Sequence, residues 1–197
     1  PRPDGSGKFL KTPVDKPAPV AMIPRQYGRY GWSLAEFDAR LADVLTPDLV
    51  MVASGMTYWY PGVFEAIRRV KARWPGVPVA LGGVYATLCT DHAPANAGAD
   101  AVLPGPGEVQ ALQWANEVSG EARALSEPIE EVLPAHDLRR RQGYVAVQTA
   151  RGCPYHCPYC AVHQLAPGAF SARPVDHVVR EIAWAVSDLG ASDVAFY

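Results

Sequence analysis

The most chemically distinctive feature of this 197-residue chain is a run of three cysteines within eight residues. Cys153, Cys157 and Cys160 follow a Cys-x3-Cys-x2-Cys spacing, and the run is entered through Gly152. Thiolates this close together on one loop converge on a single metal centre, and sulfur ligands favour zinc or the iron of an iron–sulfur cluster. The fourth cysteine, Cys89, is distant in sequence, so disulfide pairing explains the run poorly.

The number of thiolates predicts an open site. Closed structural zinc sites and ferredoxin clusters use four protein ligands, and no fourth cysteine follows nearby. One alternative is that His156 or His163 completes a Cys3His zinc site, which would make the segment an interaction module. A second alternative is an iron–sulfur protein that only transfers electrons. A four-iron cluster held by three cysteines would instead leave one iron for a substrate or cosubstrate.

The cysteine spacing, with Tyr159 directly before the last cysteine, resembles the signature loop of the radical S-adenosylmethionine (radical SAM) superfamily. The resemblance implies that Cys153, Cys157 and Cys160 hold a 4Fe-4S cluster whose open iron binds S-adenosylmethionine. It also implies reductive cleavage of the sulfonium to methionine and a 5'-deoxyadenosyl radical, with backbone contacts from Tyr159 on the adenine side. The implied partners are an electron donor such as flavodoxin or ferredoxin and a small-molecule or otherwise unknown substrate.

The segments on either side of the cysteines predict the elements that position them. Residues 143–149 alternate in polarity, which predicts a strand. Residues 174–189 carry apolar residues at helical spacing and predict a helix, and residues 191–197 predict a second strand. Strand, loop, helix and strand form the opening βαβ unit of a partial TIM-type barrel, where ligands gather at the carboxyl ends of strands. Radical SAM enzymes continue for several further βα units, so we expect this chain to be an inactive fragment.

The region before the cysteines predicts an α/β domain of its own. Ser33 and Glu36 have the spacing of a capping box, and apolar runs at 48–54, 77–81 and 100–104 predict buried strands. Helices are predicted at 61–74, 85–93 and 107–118. This alternation indicates a Rossmann-like (flavodoxin-like) open parallel sheet with a ligand crevice beyond the carboxyl ends of its strands. The predicted lining residues of the crevice are Ser54, Gly55, Thr57, Gly82, Gly83, Tyr85, Gly105, Gly107 and Glu108.

The Gly-Gly and Gly-x-Gly-Glu loops resemble, in order, those of the cobalamin-binding domain that precedes the barrel in one class of radical SAM proteins. The resemblance covers about residues 45–118 and implies cobalamin in the crevice and methyl transfer to an unactivated carbon. The alternative is that no cobalamin binds and that the glycines only mark the ends of helices and strands in a degenerate domain. In that case, a radical rearrangement or cyclisation is the expected reaction. Asp91-His92 does not match the Asp-x-His-x-x-Gly cobalt-ligand pattern, so we expect no histidine on the lower face of the cobalt. Gly83→Val is expected to lower cobalamin affinity by its bulk.

The sequence divides into four predicted parts. These are an irregular segment at 1–32, a cobalamin-binding-like domain at 33–120, a linker at 121–143 and the start of a barrel at 144–197. A flavodoxin-like sheet normally begins with a strand near its centre, and no such strand is predicted before Lys16. Trp59 is predicted to pack in the core, and Cys89 to be a small buried hydrophobe.

The composition is that of a cytoplasmic globular protein. The chain is 49% hydrophobic and 19% charged, its net charge is -2, and it has no apolar run long enough to cross a membrane. A nearly neutral charge argues against nucleic acid as the main partner, and the short run Arg139–Arg141 reads as a solvated face.

Overall fold

The computed structural model divides the chain into two units by its internal contacts. One unit is Phe9–Arg123, and the other includes Ala124–Tyr197. The structure describes residues 9–125, 128–129, 132–138 and 143–197. The run Arg139–Arg141, the first eight residues of the predicted irregular segment and parts of the predicted linker lie outside the described residues. In the described ranges, no helix is both long and apolar enough to cross a membrane.

The first unit opens with a short antiparallel ribbon. Strand β1 (Lys11–Pro13) pairs with β2 (Gly28–Tyr30), and the two form a sheet of their own. The segment predicted to be irregular therefore contains two short strands, and neither belongs to the parallel sheet. The strands are three residues long and β1 is exposed throughout, so they carry no apolar alternation that the sequence could have revealed.

The first helix begins at the predicted capping box. Helix α1 (Leu34–Ala42) has Ser33 as its N-cap, and the backbone N–H of Glu36 donates to Ser33 Oγ at 3.2 Å. The backbone N–H of Ser33 donates in return to the Glu36 carboxylate at 2.8 Å. Two backbone donors that the helix itself leaves unpaired are thus satisfied, which fixes where α1 starts.

Three parallel strands form the predicted open sheet. They are β3 (Val50–Ser54), β4 (Val79–Gly83) and β5 (Ala101–Leu103), and they lie in the order β3-β4-β5. The α/β fold class with a Rossmann-like parallel sheet is confirmed. Because the three strands lie side by side in chain order, the strand order does not reverse among them. A crevice of the kind that forms where strand order reverses is therefore not present among these three strands, and their loops meet because parallel strands share one carboxyl edge.

Helices connect and cover these strands. They are α2 (Tyr60–Arg73), α3 (Val84–Leu88), α4 (His92–Asn96) and α5 (Gly107–Ser119). Helix α2 buries Val63, Ile67 and Val70, which recur at three- and four-residue spacing and pack with Val79 and Leu81 of β4. The single helical stretch predicted at 85–93 is two short helices. Cys89 is half-buried against the same core, on its periphery.

The second unit contains the predicted βαβ arrangement. Its elements are β6 (Tyr144–Val147), β7 (Ala150–Arg151), α6 (Val162–Leu165), β8 (Ser171–Ala172), α7 (Val175–Ser187) and β9 (Asp193–Phe196). Strands β6 and β9 pair in parallel, and α7 lies between them in the chain. Val145, Val147, Ala185 and Ala191 form the buried core of this unit. The β7–β8 ribbon was not predicted, because two-residue strands have no readable periodicity.

Candidate functional site

The three cysteines lie on one closed loop, residues 152–170, which we call the cysteine loop. Strands β7 and β8 pair antiparallel, with Ala150 opposite Ala172 and Arg151 opposite Ser171, and so join the two ends of the loop. Gly152 turns the chain into the loop with a φ of +76°, and a Cβ there would lie 3.4 Å from the carbonyl oxygen of Ala169. A side chain at position 152 would be strained in this conformation, which accounts for the glycine before the first cysteine.

All three cysteine thiols of the loop are free. Cys153 and Cys157 are half-buried and Cys160 is exposed. The backbone N–H of Cys160 donates to the carbonyl oxygen of Cys157 at 3.0 Å, so the last two cysteines sit on a tight turn. In the described part of the chain, no three Cys, His, Asp or Glu side chains form a group that could hold a metal ion. The structure therefore brings the thiols onto one loop without turning them toward a common point. Tyr159 is 89% exposed.

The two histidines near the cysteines interact with the loop itself. The rings of His156 and His163 stack with centroids 4.3 Å apart and an interplanar angle of 9°. His163 Nε2 lies 2.8 Å from the backbone carbonyl oxygen of Tyr155 and donates a hydrogen bond to it. This contact ties α6 to the part of the loop that carries Cys153 and Cys157, and it engages one of the two ring nitrogens of His163.

A second candidate region lies at the carboxyl edge of the parallel sheet. Ser54 pairs in register with Gly83, which places the ends of β3 and β4 side by side. Thr87 Oγ1 donates to the carbonyl oxygen of Gly83 and accepts from the backbone N–H of Gly105, both at 2.8 Å. The hydroxyl thus joins the end of β4 to the loop after β5. Thr87 is not among the residues that the sequence predicts for the crevice, although a threonine in a helix can bond to the carbonyl four residues earlier, here that of Gly83.

Two predicted crevice residues have their side chains in the core. Ser54 is 2% exposed, and its hydroxyl donates to the carbonyl oxygen of Met56 at 2.8 Å. Tyr85 is 1% exposed, its hydroxyl lies 2.7 Å from His92 Nδ1, and its ring packs beside Tyr60. Burial raises the pKa of Tyr85 above its usual value. The expectation that the Tyr85 side chain lines the crevice is therefore corrected, because the helix turns it inward.

Gly83 is needed for the pairing of β4 with β3. Its φ is +86°, and a Cβ there would lie 2.6 Å from the carbonyl oxygen of Ser54 on the adjacent strand. Real side chains do not occupy such a position, so bulk at Gly83 would disturb the pairing of β3 with β4 before it met any ligand. The expectation that Gly83→Val selectively lowers cobalamin affinity is corrected for this reason.

The remaining crevice positions are more open. A Cβ at Gly82 would make only an ordinary contact with the Leu103 carbonyl oxygen at 3.6 Å, and one at Gly107 would meet nothing within 4 Å. Gly105 has a φ of +85°. Glu108 is exposed in the first turn of α5.

Aromatic residues flank the loop after β3. Thr57 begins a 3-10 helix that ends at Trp59, and the Trp59 ring lies 3.2 Å from the position of a Cβ on Gly55. Trp59 is 53% exposed and Tyr58 is 63% exposed. The prediction that Trp59 packs in the core is therefore wrong, and two aromatic side chains instead face outward near the carboxyl edge of the sheet.

The fold and the site define an α/β protein in which a Rossmann-like parallel sheet precedes a βαβ unit with a three-cysteine loop. No protein-family model matches the chain. A protein of Synechocystis sp. described as an uncharacterized methyltransferase is 35% identical over 169 residues, which cover 79% of this chain and 30% of that protein. The sequence relationship is therefore to part of a methyltransferase.

The fold is also shared with a solved structure. TsrM from Kitasatospora setae, a radical S-adenosylmethionine methyltransferase determined with tryptophan substrate and the SAM analog aza-SAM bound, matches with a TM-score of 0.58 at 21% identity. The match covers 83% of this chain and 38% of TsrM. The chain thus spans well under half the length of each of these two proteins.

Proposed function

We propose that this chain is part of a radical SAM enzyme in which Cys153, Cys157 and Cys160 hold a 4Fe-4S cluster. The observation that carries the proposal is that three free thiols lie on one loop. The pairing of β7 with β8 joins the two ends of this loop, and β7 follows β6 in the chain. The donor set fits a cluster in number and softness. The fold likeness to a radical SAM methyltransferase and the sequence relationship to a methyltransferase support it. The bound cluster would supply the electron that cleaves S-adenosylmethionine reductively.

The chain's own residues would hold and orient this centre. The left-handed turn at Gly152 ends β7 immediately before Cys153. The thiols of Cys153, Cys157 and Cys160 would have to turn toward one another on loading, which the exposed position of Cys160 permits. The exposed Tyr159 would lie on the adenine side of S-adenosylmethionine. The proposed electron donor is a flavodoxin or ferredoxin, and the proposed location is the cytoplasm.

We further propose methyl transfer as the reaction and cobalamin as a second cofactor. The likeness to two methyltransferases supports methyl transfer. Strand ends joined through Thr87, open space at Gly107 and outward-facing Tyr58 and Trp59 support a large planar ligand at the carboxyl edge of the sheet. No histidine is expected on the lower face of the cobalt.

Cysteine substitution in the full-length protein tests the cluster. After anaerobic reconstitution with iron and sulfide, Cys153→Ala, Cys157→Ala or Cys160→Ala should lose the iron, because two thiolates cannot hold the cluster. Cys89→Ala, in the other unit, is the matched control and should keep the wild-type iron content. Electron paramagnetic resonance should show a cluster spectrum that changes when S-adenosylmethionine is added. Iron loss in Cys89→Ala, a spectrum indifferent to S-adenosylmethionine, or a colourless zinc protein would each contradict the proposal.

Bulk at an open glycine tests the cobalamin assignment. Gly107→Trp should lower cobalamin affinity by about tenfold or more, equivalent to at least about 1.4 kcal/mol, and leave the iron content unchanged. Gly76→Trp is the matched control, because a Cβ there also meets nothing within 4 Å and the residue precedes β4 at the opposite edge of the sheet. Well-folded full-length protein that retains no cobalamin would overturn the assignment. A cobalamin spectrum with histidine nitrogen coordination would overturn the lower-face proposal alone.

A further inference from the structure

A buried carboxylate on α7 holds two partners from different parts of the second unit. Glu181 is fully buried, and its Oε1 lies 2.9 Å from His136 Nε2. Its Oε2 accepts from an Nη1 hydrogen of Arg173 at 2.7 Å. The His136 ring packs beside that of Trp184 with centroids 6.0 Å apart. One carboxylate therefore connects α7, the residue before its N-cap and the segment that precedes β6.

Arg173 extends this network to the cysteine loop. Its Nη1 also donates to the carbonyl oxygen of Gln148 at 2.8 Å, and its backbone N–H donates to the carbonyl oxygen of Thr149 at 2.9 Å. Gln148 and Thr149 connect β6 to β7, where the chain departs toward the cysteines, and Arg173 directly follows β8, where the chain returns. A single residue thus fastens the departing and the returning ends of the loop.

Core stability alone explains this arrangement poorly. Burying an ion pair removes two charges from water, and apolar residues of similar volume often serve a core equally well. The Arg173 side chain is 8% exposed, and its Nη2 has no hydrogen-bond partner in the described part of the chain, which adds an uncompensated desolvation cost. Apolar residues could not hydrogen-bond a backbone carbonyl and a carboxylate at the same time, as the Arg173 guanidinium does.

We propose that Arg173 and Glu181 are positioning residues that keep the two ends of the cysteine loop together, so that its thiols can be brought to one cofactor. The role given to the thiols rests on the proposed function, whereas loop closure by the network does not. Glu181 acts through Arg173, and neither residue touches the cofactor.

Hydrogen exchange of the metal-free full-length protein tests the closure. Glu181→Gln should speed exchange of the amides at 149–152 and 171–173 by about tenfold, since loss of the charged partner loosens Arg173, and leave the parallel sheet unchanged. Arg173 makes both side-chain bonds from Nη1. Arg173→Lys keeps the buried positive charge, but its shorter side chain ends before the Nη1 position, so it should have the same local effect in a chain that still folds. Asp188→Asn, an exposed change of the same kind just beyond α7, is the matched control and should change nothing.

The outcomes separate closure from a general stabilising role. Unchanged exchange at the loop ends in both variants would overturn the proposal, as would a rise spread evenly over the whole second unit. In reconstituted protein, Glu181→Gln should also broaden the electron paramagnetic resonance spectrum obtained with S-adenosylmethionine, and an unaltered spectrum would contradict a positioning role. If the wild type takes up no cluster, the proposed function fails, while hydrogen exchange still decides whether the network closes the loop.

Discussion

The structural reason for a glycine differs from one position of this chain to another. It becomes clear only from the atoms that surround each Cα. Gly83 is the last residue of β4 and Gly107 is the first residue of α5, and both belong to glycine-containing stretches that look equivalent in sequence. The backbone of Ser54 fills the space beside Gly83, whereas the space beside Gly107 is open. The first glycine is therefore required by strand packing, and the second is available to accommodate a ligand.

This difference predicts opposite results for one kind of substitution. Gly83→Ala should lower the free energy of unfolding by about 2 kcal/mol or more, because backbone strain and overpacking each cost roughly 1–3 kcal/mol. Gly107→Ala should leave it unchanged or slightly raised, since an alanine in the first turn of α5 meets nothing. Urea unfolding of the full-length protein measures both, and equal midpoints for the two variants would contradict the packing argument.

At the scale of elements, one carboxylate joins a helix to two strands. Asp100, just before β5, accepts from Lys71 Nζ of α2 at 2.6 Å and from the backbone N–H of Val79 of β4 at 2.8 Å. The backbone N–H of Asp100 donates to the carbonyl oxygen of Val79 at 2.8 Å. The hydrogen bond from Lys71 is the main cause that lowers the pKa of Asp100, and the Val79 N–H adds to it against the effect of partial burial.

The lowered pKa predicts a pH dependence. A carboxyl group whose pKa is lower in the folded state stabilises the fold above its unfolded pKa of about 3.9, and this contribution is lost as the pH falls from there through the folded pKa. The urea midpoint of the first unit should therefore fall less between about pH 5 and pH 3 in Asp100→Asn than in the wild type.

Lys71→Met offers a paired variant for the same measurement. It removes the partner that lowers the pKa most and should flatten the pH dependence in the same direction, by a smaller amount because the Val79 N–H remains. If the urea midpoint changes equally with pH in the wild type, Asp100→Asn and Lys71→Met, the hydrogen bonds of the Asp100 carboxylate contribute nothing to the pH dependence of stability.

At the scale of the whole molecule, the two units have separate buried cores. The core of the first unit is built around α2 and β4, and that of the second around β6 and α7. Each core joins a parallel strand to the buried face of a helix. Stability should therefore respond locally to substitutions in either core.

Ile67→Ala and Val147→Ala test this independence. Ile67 is 1% exposed, and truncating a buried isoleucine typically costs about 2–5 kcal/mol. Ile67→Ala should speed amide exchange in β3–β5 and leave β6 and β9 unchanged, and Val147→Ala should do the reverse. Exchange that rises in both units after either substitution would mean that the chain unfolds as one cooperative body.

The sequence alone determined the features that depend on residues close together in the chain. The cysteine spacing, the capping box at Ser33 and the apolar periodicity of α2 and α7 are local. The apolar runs that became β3 to β5 and the alternating segment that became β6 are local as well. These patterns were enough for the α/β class, the parallel sheet and the βαβ unit. They place three thiols on one loop, although they do not say how the thiols are oriented.

The tertiary structure decided what depends on residues far apart. The β7–β8 ribbon, the burial of Tyr85 and the outward position of Trp59 follow from packing between elements that no local pattern encodes. The contact of Glu181 with His136 joins residues 45 positions apart. Its one sequence signal was a carboxylate on the apolar face of α7, which required a partner in the fold because burying an unpaired charge is costly. Only the folded chain could determine which partner Glu181 pairs with. The same is true of the extension of this network through Arg173 to the ends of the cysteine loop.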